Sequence, residues 1–188
     1  MKISLVSFAA EHFNNNGDQG NLEVLKFHLA ASGQKVEVLG QSQAETADFL
    51  LVGDCSRAAL RFYKPGLDAL VPALKARLDA GSPTLLVGSS YEYLSEPIGL
   101  GIPITVPRIS DFMSVQSDGL DLVGYCNSDT NLPVAQVKNC FVATKLFGPI
   151  LATNPTLLER ILKRLGAELK LSESMQQDID QIRGQISA

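Results

Sequence analysis

Two short apolar runs constrain this chain more than any other feature. One is "ADFLLVGD" (residues 47–54) and the other opens "PTLLVGSSYEYL" (residues 83–94). Neither alternates with polar residues, and each stops at a glycine. Such runs suit strands covered on both faces, as in a parallel sheet between helices. Lys2–Ser7 reads as another buried strand, and Lys35–Leu39 alternates as a strand should. Helical spacing separates these strands: Leu22, Leu25 and Leu29 precede Gly33, and Leu70, Leu74 and Leu78 precede Gly81. Pro72 is expected to mark a first turn or a kink. Strands alternating with helices predict an α/β fold with a parallel sheet. Ligands of such sheets sit beyond the carboxyl ends of the strands, which here means loops 8–20, 53–57 and 88–91.

The second half is more broken. Residues 99–112 and 117–134 read as short strands and hairpin turns, and residues 139–147 as one strand stopped by Gly148-Pro149. A helix follows, with Asn154 as its cap, Pro155 in its first turn and Gly166 at its end. The tail carries Met175, Ile179, Ile182 and Ile186 on one stripe, which reads as a packing face. The 188 residues suit a single domain spanning 1–188. A net charge of -4 removes the electrostatic case for nucleic acid, and no apolar run reaches the length of a membrane span. The first residues read as a strand and not as a signal peptide. Cys55, Cys126 and Cys140 have no CxxC spacing. That argues against a disulfide framework or a metal site and for a reducing cytoplasm; nothing implies a cofactor.

Residues 83–94 pose the functional question. An apolar strand, a sharp turn of small residues and a helix form the arrangement by which α/β hydrolytic enzymes expose a nucleophile. The apex, however, is Gly88, which has no side chain.

Five segments, in order, resemble the class I (triad-type) glutamine amidotransferases, closest to the cobyric acid synthase and lipid II isoglutaminyl synthase glutaminase branch. "NNNGDQGNLEVLKFHL" (14–29) is similar to a Gly-Asp-Arg-Gly-Asn loop running into a helix, matching at Gly17, Asp18, Gly20 and Asn21. "DFLLVGDCSR" (48–57) resembles a strand ending in a Gly-Gly-Gly-Gln-Asp oxyanion loop, of which only Gly53 survives. Residues 83–94 resemble "LAICGGYQLLG", and 141–163 resemble "IGTYLHGPLLAKNPELADWLL". "LVGYCNSDTN" (122–131) is a weaker match to "LTGFENHGGRT". The resemblance implies a flavodoxin-like α/β sandwich with a mostly parallel central sheet, helices on both faces and a partly antiparallel second half.

It also implies which residues should do the chemistry, and most are gone. The family's nucleophilic cysteine falls on Gly88 and its histidine on Phe147. The Glu and His of the weaker segment fall on Cys126 and Ser128. Glutamine hydrolysis needs a thiolate, an imidazole and N–H groups for the oxyanion. The resemblance therefore implies a degenerate glutaminase that binds or regulates. An ATP-dependent, Mur-ligase-like or cobyrinate-synthetase-like ligase is the implied partner, or else a small-molecule ligand. The alternative is a relocated nucleophile, Cys55 or Ser89, served by His12. The expected pocket comprises Asp18, Gly53, Asp54, Cys55, Gly88, Ser89, Ser90, Tyr91 and Phe147. Asp18 is expected to cap the first helix and fix the loop, and His28 to lie at the surface or at its boundary.

Overall fold

The computed structural model describes residues 2–186. A six-stranded sheet forms its centre, from β1 (Lys2–Ser7), β2 (Lys35–Leu39), β3 (Phe49–Val52), β4 (Thr84–Val87), β7 (Ala135–Lys138) and β8 (Phe141–Thr144). Their order is β2-β1-β3-β4-β8-β7. All neighbours are parallel except β7, which returns antiparallel along β8. The strand order reverses at β1, so β1 and β3 flank a topological switch point, where α/β sheets open a crevice.

The two faces are separated by period-two alternation. Leu5, Phe49, Leu51, Leu85, Val87 and Val142 face one core with α1 (Gly20–Ala31) and α5 (Pro155–Arg164). Val6, Leu50, Val52, Leu86, Phe141 and Ala143 face the other, with α2 (Arg57–Ala80) and α3 (Ser89–Ile98). The apolar runs are continuous because both faces are covered.

Several local expectations need correction. Pro72 does not mark a first turn: α2 runs for 24 residues with both Pro65 and Pro72 inside it. The prolines are seven residues apart, so they share one side of the helix, and both are exposed. The carbonyls that they leave unbonded therefore face water. The expected short strands after residue 99 are one long antiparallel hairpin, β5 (Thr105–Ser117) with β6 (Leu120–Thr130), irregular between Thr105 and Ile109. The strand expected over 139–147 splits at Lys145. β8 joins the central sheet, and β9 (Leu146–Phe147) pairs with β6 in a second, three-stranded sheet.

Asn154 does not cap α5 through its side chain. It ties the short helix α4 (Ile150–Thr153) to β6: its Oδ1 accepts from Val123 N at 2.8 Å, and its Nδ2 donates to Val123 O at 2.9 Å and Ile150 O at 2.8 Å. Removing a partner from buried backbone groups costs about 2 kcal/mol. Asn154→Ala is expected to lower the melting temperature by about 4–8 °C, read by circular dichroism. An unchanged midpoint would show that this junction carries no stability.

Candidate functional site

The strand-end loops meet above the carboxyl edge of the sheet. At the end of β4 the chain turns at Gly88, with φ 57° and ψ -123°, a conformation that side-chain-bearing residues adopt only under strain. Glu92 N then closes the first turn of α3 on Gly88 O. This strand–turn–helix is the geometry of a nucleophile elbow. A Cβ built on Gly88 would lie 2.5 Å from Phe147 Cε1 and 2.6 Å from Asp54 Oδ1. Neighbouring side chains therefore occupy the space that any side chain at position 88 would need. Residues 88 and 147, far apart in sequence, are close neighbours at the elbow.

Asp54 organises the rest. Its Oδ1 accepts the N–H of Ser89 at 2.9 Å, the first residue of α3, where backbone donors and the helix dipole favour an anion. Its Oδ2 accepts from Asn16 Nδ2 at 2.9 Å and Asn15 Nδ2 at 3.3 Å. Its own N–H is taken by Asp18 Oδ2 at 3.0 Å. The N–H following an elbow nucleophile is the standard oxyanion donor of such sites. Here a carboxylate of the protein itself fills that seat.

Asp18 is fully buried, and its Oδ1 has no partner among the described residues. Burial, reinforced by the nearby charge of Asp54 and opposed by backbone hydrogen bonds, raises its pKa from 3.8 to about 6. Asp18 does not cap α1 with its side chain; its carbonyl accepts from Asn21 N, while its carboxylate braces the Asp54 loop. Gly53 lies where a Cβ would run into Phe13 O and the Asp18 side chain.

The remaining expected residues divide. Ser89 Oγ accepts from Cys55 N and donates to Cys55 O, both at 3.0 Å, with Cys55 Sγ 3.5 Å away. Cys55 is buried, and burial raises its thiol pKa despite the Ser89 hydrogen bond, so the reactive thiolate is suppressed. His12 is exposed and stacks on Tyr63 at 5.2 Å, lining a hollow of about 330 Å³ with Ser7, Glu11 and Gln19. No hydrogen bond joins it to Cys55 or Ser89 among the described residues. Two residues leave the pocket. Ser90 Oγ is locked to Val52 O and Val87 O, and the Tyr91 hydroxyl reaches Pro133 O and Gln136. Both brace the turn from behind.

Two features were missed by sequence reasoning. The antiparallel register sets Phe112 opposite Tyr125 and Tyr125 opposite Phe147. An aromatic row thus crosses the second sheet on one face, from exposed Phe112 to Phe147 at the elbow. Lys145 is buried, its Nζ donating to Thr130 O at 2.8 Å; its flanking apolar residues gave the only signal. Among the described residues no group of three or more His, Cys, Asp or Glu is placed to hold a metal, and no helix is long and apolar enough to cross a membrane.

No protein family and no curated protein matches the sequence. Solved structures do match the fold. A chain of PurLQS from Thermotoga maritima is 10% identical and superposes with a TM-score of 0.53, over 88% of this chain and 100% of that one. A glutamine amidotransferase (tm1158) from the same organism is 12% identical, with a TM-score of 0.51 over 96% of this chain and 85% of that one. The fold is a class I glutamine amidotransferase-like α/β sandwich, with a mostly parallel central sheet and an antiparallel second half. At these identities the likeness is one of fold.

Proposed function

We propose that this chain is a degenerate glutamine-amidotransferase-like domain without glutaminase activity, acting as a binding or regulatory subunit. The observation that carries the reading is the occupied elbow. Gly88 has no nucleophile, the Phe147 ring fills the place of a base, and the Asp54 carboxylate holds the Ser89 N–H at 2.9 Å. A substrate oxyanion would meet that carboxylate where it needs a donor, and like charges repel. Loss of a nucleophile alone costs about six orders of magnitude in rate, and loss of its base adds little.

The role is binding, within a cytoplasmic complex built around an ATP-dependent ligase or amidotransferase of the Mur-ligase or cobyrinate-synthetase type. The fold shared with a glutamine amidotransferase, and the match to a whole chain of PurLQS, support a subunit's role. The aromatic row beside the elbow offers a surface for a partner or a small ligand.

Purified protein is expected to release no ammonia from glutamine above the uncatalysed rate. Saturable release that disappears in Ser89→Ala or Cys55→Ala would overturn the reading in favour of a relocated nucleophile. The partner is tested by co-purification with a tagged ligase of this type; absence of a complex across candidate ligases removes the subunit role.

A further inference from the structure

The C-terminal helix α6 (Glu173–Ile186) lies on the body of the chain without one fully buried residue. Arg183 pins it, donating to Thr153 O, Asn154 Oδ1, Asp121 O and Asp121 Oδ2. The stripe expected to pack does not close against its neighbours. Between α6, α1 and the α4–α5 corner remains a cavity of about 410 Å³, within the ~300–1,000 Å³ range of small-molecule sites. Val24, Phe27, Leu151, Leu158, Met175 and Ile179 make much of its wall.

One polar side chain in that wall is buried. His28, expected at the surface or at its boundary, is only 3% exposed, and its Nδ1 has no partner among the described residues. Burial lowers its pKa, keeping the ring neutral. A neutral imidazole offers one donor and one acceptor, and a buried unpartnered nitrogen is a standing cost. Glu23 and Asp178 are the charged residues of the wall, and neither Lys nor Arg lines it. Glu23 is already bound by Lys26 at 2.9 Å. A carboxylate or phosphate would find no cation there.

We infer that this cavity is a binding site for an uncharged, mainly apolar small molecule bearing one hydrogen-bonding group, which would meet His28. A protein surface fits less well. The exposed large apolar side chains at the rim are Phe27 at 58% and Ile182 at 43%. Together they present on the order of 200 Å², against ~800 Å² per partner in a stable interface. The site is separate from the elbow and does not depend on the function proposed for it.

Nile red, a neutral apolar fluorophore, is the probe. The full chain is expected to bind it saturably at one site per chain with blue-shifted emission. The chain has two histidines, so imidazole NMR reads the location: the His28 resonances shift and those of His12 do not. Ile179→Glu, on the roof helix, weakens binding at least tenfold. Val24→Trp, filling the cavity from α1, does the same and stands in if the first variant loosens α6. No saturable binding, equal shifts at both histidines, or insensitivity to both variants overturns the inference. So does a dimer, seen by light scattering, that either variant dissociates.

Discussion

Gly88→Cys is expected to lower the melting temperature by about 6–12 °C and to leave the protein without glutaminase activity. A thiol placed at the apex does not find an empty seat. Its Cβ would lie 2.5 Å from Phe147 Cε1, 2.6 Å from Asp54 Oδ1 and 2.9 Å from Asp54 Cγ. Asp54 cannot simply swing aside, because Ser89 N and the Asn15 and Asn16 amides hold both its oxygens. Phe147 is held by the pairing of β9 with Tyr125 on β6. Overpacking and a side chain at φ 57° together cost about 3 kcal/mol. Gly88→Ala adds the same Cβ and should lose nearly as much. The triple change Gly88→Cys, Phe147→His, Asp54→Gly removes both obstacles and frees the Ser89 N–H. It should regain at least half of the lost stability, as measured by thermal unfolding. If Gly88→Ala melts at the wild-type temperature, the elbow is not occupied as described, and the case for an inert relative fails with it.

That packing was legible in sequence only as a pairing of absences. Gly88 stood out because a strand–turn–helix pattern put it at the apex, and Phe147 because the family resemblance aligns a histidine with it. What fills the gap was not legible. Asp54 was visible as a charge in a loop where small residues were expected, but its reach to Ser89 N depends on how three loops meet. The central sheet could be read because its strands are buried on both faces and so run continuously apolar. The β5–β6 hairpin could be read only as short strands and turns, because β5 is an edge strand, largely exposed, and its polar residues break any periodic signal. His28 is a different failure. It follows Leu25 by three residues and Asn21 by seven, both buried on α1. That spacing places it on the inner face, although histidine is not among the residue types most often buried.

Asp18 provides the other large effect, and its sign is opposite to that of most carboxylates. Its pKa rises from 3.8 to about 6 because burial penalises the charged form more than its hydrogen bonds stabilise it. Between these two values the folded protein binds more protons at this group than the unfolded chain does. Stability from this group is therefore fully present below about pH 4, and it is lost as pH rises through about 6. A shift of that size is worth about 3 kcal/mol. Urea unfolding of wild type and Asp18→Asn at pH 4, 5, 6 and 7 isolates the contribution of Asp18 together with its coupling to neighbouring charges. The wild-type stability minus that of the variant should fall by roughly 2–2.5 kcal/mol from pH 4 to pH 7. A flat difference would mean that Asp18 ionises normally and that its unpartnered Oδ1 is solvated in solution. The sloping result has a consequence for function. At neutral pH the chain keeps two neighbouring carboxylates under the elbow at a cost to its own stability, and one of them fills the anion seat of α3. Such a cost is expected at a functional site, since selection for stability alone would remove it.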